Sequence, residues 1–576
     1  MVQTKKLPDS LEYMGETLTR PEAIQSAIDI SERFNPVQDL NKINRFLSES
    51  QKHLVPKRGE YDFKKIPLND PRVWALFGRG DTKGIFQLEK QLGQDWAKRA
   101  KPHNIEELAA LVSILRPGPL ESGMSDQYVR RKHGEEDIEY LHPLLEPILK
   151  ETYGCLIYQE QAMRIAVDLA GFNLVEADTL RKAIGKKKPE VMAEAKKLFM
   201  TKAAEFGKIT QEEADEIFGW IEKSVRYSFN KSHAVSYAMI SYFSAYQKVH
   251  FPKEFYTSWL TYSDWKPDQK EEIYELVQNA RRNNVTIIPP DVRKKNIDFE
   301  IMPDGKILFG LSHIRGVGSA AIKTIMEQGD SLETLVGFIK SAKKMHRNVA
   351  EGLIKSGACD CYGVSRTRLL RIVYVILGRG KENNGEEHPE TKELTPNEYK
   401  HFIKNLDQMG IQGALYSIVT DGVCVKKRIS TITAKISYLD NIPEDTNRQR
   451  SIWETLYIGV SLTSSAADDF GIIDKNAKTC REILNLPDNS KLVMHVVLDK
   501  IKQQTVKKQG SNFGKQYCFL SVSDNTGCID NISLWSDVYE EYKSEIAEGL
   551  VVTIYGQKKV WKGRSFINAN KIVVLG

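Results

Sequence analysis

The chain has 576 residues, too long for one ordinary core, so three or four domains are expected. Hydrophobic residues make up 41% and charged residues 27%, which excludes a disordered tail and supplies enough apolar material for sizeable cores. The formal net charge of +6 is too modest at this length to indicate nucleic acid by itself, so where the basic residues cluster matters more.

No run of eighteen apolar residues occurs, and Met1-Val2-Gln3-Thr4-Lys5-Lys6 offers no apolar signal region, so no membrane span and a cytoplasmic location are expected. Seven scattered cysteines, an odd number, suit a reducing compartment. Cys359 and Cys361 form a Cys-x-Cys with no second ligand pair nearby, so no metal site is expected.

Residues 1–65 are weakly patterned. A helix is expected at 21–33, with Pro21 near its first turn and Ala23, Ile24, Ala27, Ile28 and Ile30 on one face. From Pro67 to about Phe251 the pattern is strongly helical. Within it, 190–224 reads as a helical hairpin: Val191, Met192, Ala195, Leu198 and Phe199 make one stripe, the chain breaks at 207–210, and Thr210 caps a helix carrying Ala214, Ile217, Phe218 and Ile221. Pro289-Pro290 ends the region, and a short β-like hairpin follows, Phe299 to Met302 and Ile307 to Gly310 with a turn at Asp304-Gly305. Two or three helices run on to about Leu377. Residues 378–397 are polar and read as a surface loop or linker, and 398–490 are mixed. The end reads as all-β: strands at 492–497, 517–522, 529–535, 550–556 and 565–574, with a basic turn at Lys502, Lys507 and Lys508 and a helix at 537–547. Five strands with a helix between the third and fourth is the element order of an OB barrel. The expected fold is therefore multidomain, mainly α-helical, with a C-terminal all-β barrel. No repeat of 20–50 residues occurs.

Four motifs carry candidate chemistry. Arg181, Lys182, Lys186, Lys187 and Lys188 place five cations within eight residues, suited to phosphate or to a solvated helix end, two readings of equal weight. Residues 226–237 interleave aromatic, cationic and small hydroxyl residues: the aromatics Tyr227, Phe229 and Tyr237 can stack on a base while Lys231 and His233 face phosphate. Taken alone, His233 fits a helix-cap or core histidine better than a ligand, and Ser232-His233 lacks the nucleophile elbow of a hydrolase. Arg116-Pro117-Gly118-Pro119 presents Arg116 on a rigid turn, ahead of Arg130-Arg131-Lys132-His133, or makes a plain interhelix corner. Ile314-Arg315-Gly316-Val317-Gly318, opening a helix, has the form of a helix-hairpin-helix, whose backbone N–H groups reach a DNA phosphate.

In order along the chain, these pieces resemble the alpha subunit of bacterial DNA polymerase III, a C-family replicative polymerase. The likeness runs from about Ile66 to Arg371, through Ile66-Pro67-Leu68-Asn69-Asp70-Pro71, Gly84-Ile85-Phe86-Gln87-Leu88-Glu89, Leu115-Arg116-Pro117-Gly118-Pro119, Ile157-Tyr158-Gln159-Glu160-Gln161, Leu180 to Lys188, Phe229-Asn230-Lys231-Ser232-His233 and Pro289-Pro290-Asp291. A weaker likeness covers 450–463, with Trp453-Glu454 and Tyr457 to Ser461. The resemblance implies fingers over 66–290 and a duplex-gripping helix-hairpin-helix part of the clamp-binding domain over 291–375. It further implies a linker and remainder of that domain over 376–489, and an OB domain over 490–576. It implies that Arg181, Lys182, Lys186, Lys187, Lys188, Asn230, Lys231 and His233 line the deoxynucleoside triphosphate and template path. DNA contacts would come from Arg116, Arg315, Gly316 and Gly318, and on the barrel from Lys515, Tyr517, Phe519, Trp535, Lys559, Trp561 and Arg564. For the barrel aromatics, a packing role is as good a reading as base stacking.

The family's palm carries three aspartates that hold two Mg²⁺ ions, and residues 1–65 contain no such segment. Glu12-Tyr13-Met14-Gly15 is the nearest candidate, with Glu12 in the aspartate position, but its partner aspartates are missing. No catalytic residue is therefore assigned to this chain, and Mg²⁺ is expected on a palm-bearing partner chain. The expectation is the C-terminal part of a split DNA-directed DNA polymerase, with primer-template DNA, deoxynucleoside triphosphates and the palm-bearing chain as partners. The setting is the cytoplasm of a bacterium or an infected host. The sliding clamp is a further candidate partner, through Gln408-Met409-Gly410-Ile411. The alternative is a catalytically inactive DNA-binding module that regulates or sequesters replication components.

Overall fold

Asn104 and Asn230 each close the start of a helix, and these two helices lie at the centre of the first part of the chain. Asn104 Oδ1 accepts the Glu107 amide at 2.8 Å and opens α1, Ile105–Ile114. Leu108, Ala109, Ala110 and Leu111 are all essentially unexposed, as a helix apolar on every side must be. Four more helices follow: α2 (Gln159–Ala170), α3 (Leu174–Gly185), α4 (Pro189–Phe206) and α5 (Gln211–Val225). They share one core containing Leu169, Phe199, Ile217 and Phe218. Asn230 Oδ1 accepts the His233 amide at 2.9 Å and opens α6, Lys231–His250, which packs on α1 with Ala234, Ala238 and Ala245 fully buried.

The computed structural model describes residues 10–13, 16–19, 65–185, 189–225, 228–378, 389–440, 442–470, 474–506, 513–524, 526–561 and 564–575. The helix expected at 21–33 lies outside the described residues. Strands β1 (Ser10–Tyr13) and β2 (Glu16–Thr19) form an antiparallel hairpin in which Glu12 stands opposite Thr17. The expected hairpin of α4 and α5 is present: Thr210 Oγ accepts the Glu213 amide at 3.2 Å and Glu213 Oε2 accepts the Thr210 amide at 2.8 Å, a reciprocal cap. The stripe needs one correction, because Leu198 is 44% exposed and Ala203 takes the buried place one turn on.

The chain divides into two compact units, residues 1–258 and 259–576. In the second, α7 (Gln269–Arg282) precedes a three-stranded sheet in which β3 (Ile287–Ile288) runs parallel to β5 (Ile307–Leu308), and β4 (Glu300–Ile301) pairs antiparallel to β5. Helices α8 (Ser319–Glu327), α9 (Arg347–Lys355) and α10 (Arg366–Leu377) follow. The polar stretch expected as a loop to 397 ends earlier. A 3-10 turn occupies Pro389–Thr391, and α11 (Pro396–Thr420) starts behind a Thr395/Glu398 capping box. Residues 379–388 lie outside the described residues. Gln408 to Ile411 sit inside α11, at a kink where Gly410 has φ +67° and Met409 is half exposed. The mixed stretch beyond is helical again at α12, Asn447–Ile458.

The end of the chain is a closed five-stranded barrel. Strands β6 (Lys491–Thr505), β7 (Gln516–Asp524), β8 (Gly527–Leu534), β9 (Val551–Trp561) and β10 (Arg564–Val574) are arranged in the order β10-β8-β7-β6-β9. β9 pairs with both β10 and β6, β8 meets β10 in parallel, and helix Ser536–Tyr542 lies between the third and fourth strands. This is an OB-like barrel. Leu492, Met494, Val496 and Leu498 alternate into its core. Strand β6 runs on to Thr505, so Lys502 lies in a strand and not in the expected turn; Lys507 and Lys508 are outside the described residues. The barrel is fastened to α7, since Tyr274 OH donates to Asp499 Oδ2 at 2.7 Å and Arg282 Nη2 donates to the Cys528 carbonyl at 3.1 Å.

Candidate functional site

The segment before α6 and the segment before α2 meet as extended chain. Phe229 N–H donates to the Ile157 carbonyl at 2.8 Å and Gln159 N–H donates to the Phe229 carbonyl at 2.9 Å, a parallel bridge between Tyr158 and Phe229. Residues 71 positions apart thereby put the starts of two helices side by side. Around this bridge gather cations that the sequence had supplied from three separate motifs.

Arg116 lies over the Phe229 ring, its guanidinium carbon 4.0 Å from the centroid. It is the residue before Pro117, extended at φ −120° and ψ 154°, and it caps the short helix Pro117–Glu121, so the Pro-Gly-Pro run starts a helix where a turn was expected. Arg181 donates to Gln159 Oε1 at 3.0 Å and to Asp178 Oδ1 at 2.9 Å, and Lys182 meets the other oxygen of Asp178 at 2.7 Å. Lys231 opens α6: its amide donates to Glu160 Oε2 at 2.9 Å, its ammonium pairs with Glu151 at 2.8 Å, and the ammonium lies 5.8 Å from the Tyr158 ring. Arg116, Arg181 and Lys231 thus surround one bridge, with Asn230 committed to its cap and Lys182 beside Arg181. Lys186, Lys187 and Lys188 lie outside the described residues.

His233 sits against Phe229 at 5.3 Å and Tyr237 at 4.0 Å between ring centroids. Burial, and then the positive charge of Arg116, pushes its imidazole down to about 4. At pH 7 it is neutral, so it offers a hydrogen bond to a ligand and no charge. Because the ring titrates at 6.5 when unperturbed, the folded chain binds its proton more weakly than the unfolded chain does. The neutral ring therefore stabilises the fold fully above about pH 6.5, and that contribution is lost as pH falls from there toward 4. His233→Phe keeps an aromatic ring and removes the titration. The wild-type urea midpoint is expected to fall relative to that variant between pH 6.5 and 4, and a gap that stays constant over this range contradicts the assignment.

In the second unit, Ile314 and Val317 are buried, while Arg315, Gly316, Gly318 and Ser319 are exposed. Val317 N–H closes the turn on the Ile314 carbonyl at 3.0 Å. Gly316 has φ +87°, a conformation that favours glycine, and a Cβ at Gly318 would meet nothing within 4 Å. From below, α9 approaches so closely that a Cβ at Gly352 would stand 2.9 Å from the Arg315 carbonyl. The hairpin therefore offers open backbone at the start of α8, a geometry that accepts a phosphate oxygen.

On the barrel, Cys518 and Leu520 point inward and Tyr517 and Phe519 outward. Tyr517 stacks on Trp535 at 5.4 Å and 25° and meets Phe519 edge-on at 5.6 Å, with Trp535 47% exposed. Lys515 is exposed, 3.5 Å from Asp537, and Lys559 is exposed on β9. Trp561 and Arg564 face each other across β9 and β10, and their side chains lie outside the described residues. Phe513, two residues before Lys515 and 61% exposed, was not singled out from the sequence. Nor were Glu151, whose partner Lys231 lies on another element, and Asp178, which sits beside the louder basic run; Tyr158 and Gln159 stood in a family-like run but were given no role.

Among the described residues no three His, Cys, Asp or Glu side chains converge to hold a metal. At the bridge, Glu151 and Asp178 are instead committed to cations, so this site does not fit the Mg²⁺ pair that the palm of such an enzyme needs. No described helix is long and apolar enough to cross a membrane.

Residues 39–207 match the bacterial DNA polymerase III alpha subunit finger domain, 284–369 match a helix-hairpin-helix motif, and 189–231 match a protein family of unknown function. The chain is 35% identical over 513 residues to DNA polymerase III subunit alpha of Aquifex aeolicus, covering 88% of this chain and 39% of that protein. It is 39% identical over 343 residues to the Thermus aquaticus subunit (58% and 28%) and 32% identical over 497 residues to that of Chlamydia trachomatis (84% and 37%). The chain thus spans less than two fifths of the length of each of these curated relatives.

Proposed function

From a chain related over its finger and helix-hairpin-helix segments to the bacterial DNA polymerase III alpha subunit, we propose that it binds an incoming deoxynucleoside triphosphate and primer-template DNA during DNA replication in the cytoplasm. The observation that carries this reading is the convergence of Arg116, Arg181 and Lys231 on the Tyr158–Phe229 bridge. Three cations from distant motifs offset the charge of a triphosphate through charge-assisted hydrogen bonds, each worth about 1.5–3 kcal/mol. Aromatic faces beside them suit a base. The cations hold the nucleotide in one orientation, which lowers the entropy cost of attack. The hairpin at Gly316 and Gly318 grips duplex phosphates, and the aromatic platform of Tyr517, Phe519 and Trp535 receives unpaired template bases.

The carboxylates for Mg²⁺ come, in this reading, from a palm-bearing polypeptide. The test is primer extension with that polypeptide, with and without this chain. Extension is expected to depend on both, and this chain alone is expected to extend nothing. If adding it changes nothing at any concentration, the reading fails and a DNA-binding regulator takes its place. DNA binding by the full chain should weaken steeply with salt in either case, since phosphate contacts release counterions.

A further inference from the structure

The cations proposed to receive the triphosphate are already engaged in the folded chain. Lys231 is 39% exposed and meets Glu151, itself 56% exposed, at 2.8 Å. Arg181 and Lys182 both close on Asp178, at 2.8 and 2.7 Å. Resting on the nucleotide-site reading above, we propose that Glu151 and Asp178 are built-in competing anions that an incoming nucleotide must displace, and so set which anions the site accepts.

Neither carboxylate belongs to a buried framework. Glu151 stands on the 3-10 turn Lys150–Thr152, eighty residues before its partner. Asp178 lies one helical turn before Arg181 and Lys182, the spacing at which side chains on a helix meet. Lys231 holds the Glu151 carboxyl below the usual range, with Lys150 and Arg164 adding to the effect, so Glu151 is charged at neutral pH. Lysine and arginine together hold Asp178 low in the same way.

Exchange then depends on ligand charge. A monoanion replacing Glu151 trades one unit charge for another and gains nothing. A triphosphate brings three or four charges, and can meet Lys231 and Arg181 together across the bridge. Exposed ion pairs are weak, so the displacement is cheap enough for a polyanion to achieve and costly enough to exclude weak competitors.

The test uses the full chain without a partner and a dye-labelled deoxynucleoside triphosphate, read by anisotropy, with inorganic triphosphate as competitor. Glu151→Gln is expected to tighten both ligands about three- to fivefold, the size of one exposed pair, and Asp178→Asn to act likewise. Glu205→Gln, which removes an equal charge at the far end of α4, is the control and is expected to change neither. Weaker binding by Glu151→Gln, with an unchanged melting curve, makes the carboxylate a positioning group for Lys231 and overturns the proposal. Equal tightening by Glu205→Gln overturns it too, as a general charge effect. If wild type binds neither ligand, the nucleotide-site reading itself fails and takes this inference with it, an outcome distinct from binding that Glu151→Gln leaves unaltered.

Discussion

Arg366→Ala is expected to destabilise the second unit by about 3–5 kcal/mol, the cost of removing one partner from a buried ion pair. Arg366 is 1% exposed and Glu454 fully buried. The guanidinium donates to Glu454 Oε1 at 2.7 Å and grips Asp360 through two bonds of 2.6 and 2.9 Å. The other Glu454 oxygen accepts the Leu462 and Thr463 amides at 2.6 and 3.0 Å and the Ser461 hydroxyl at 3.2 Å, while the Thr463 hydroxyl donates to Oε1. One buried carboxylate therefore ties α10, α12 and the turn at 461–463 together. Alanine leaves that charge without its cation and opens space beside it. Urea unfolding should show a large fall in midpoint, and hydrogen exchange should speed up at the Leu462 and Thr463 amides. The comparison is Arg293→Ala, which breaks the part-exposed pair to Asp291 and should cost less than about 1 kcal/mol. Equal costs for the two variants would show that burial at Arg366 carries no energetic weight.

The same cluster marks how far the residues alone could be read. Glu454 was visible as part of a short family-like segment, but its partner lies 88 positions earlier, and nothing local to either residue announces the pair. Local signals did far better. Thr210, a capping residue ahead of an apolar stripe, marked the start of α5, and the run Tyr517 to Val522 marked a barrel strand. The start of α11 carried an equally good local signal, Thr395-Pro396-Asn397-Glu398, and was passed over because the residues before it are polar and glycine-rich. Strand β6 was cut short for a physical reason: a register shift between Leu498 and Lys500 breaks the alternation where Asp499 turns toward Tyr274. At the candidate site the positive half was legible, as runs of arginine and lysine. The negative half was hidden, because Glu151 is brought to Lys231 only when the chain folds.

Lys231→Ala is expected to lower kcat/KM for nucleotide in the reconstituted enzyme by about 10- to 100-fold, the loss of one or two charge-assisted contacts to a phosphate group. Of the described cations at the bridge, Lys231 combines the most with the geometry of anion binding. It stands at the first position of a twenty-residue helix, where the backbone dipole adds partial positive charge. Its ammonium is held by a side chain that water already reaches, so a ligand can take it over. Arg181 is shared between Gln159 and Asp178, and Arg116 spends one face on Phe229. If Lys231 meets the triphosphate in the ground state and the transition state alike, KM rises and kcat holds. If it meets charge that develops only on reaction, kcat falls with it. Lys231→Arg keeps the charge and should recover most of the loss. A Lys231→Ala enzyme with wild-type kcat/KM puts this lysine on a solvated face, and the bridge then has no claim to the nucleotide.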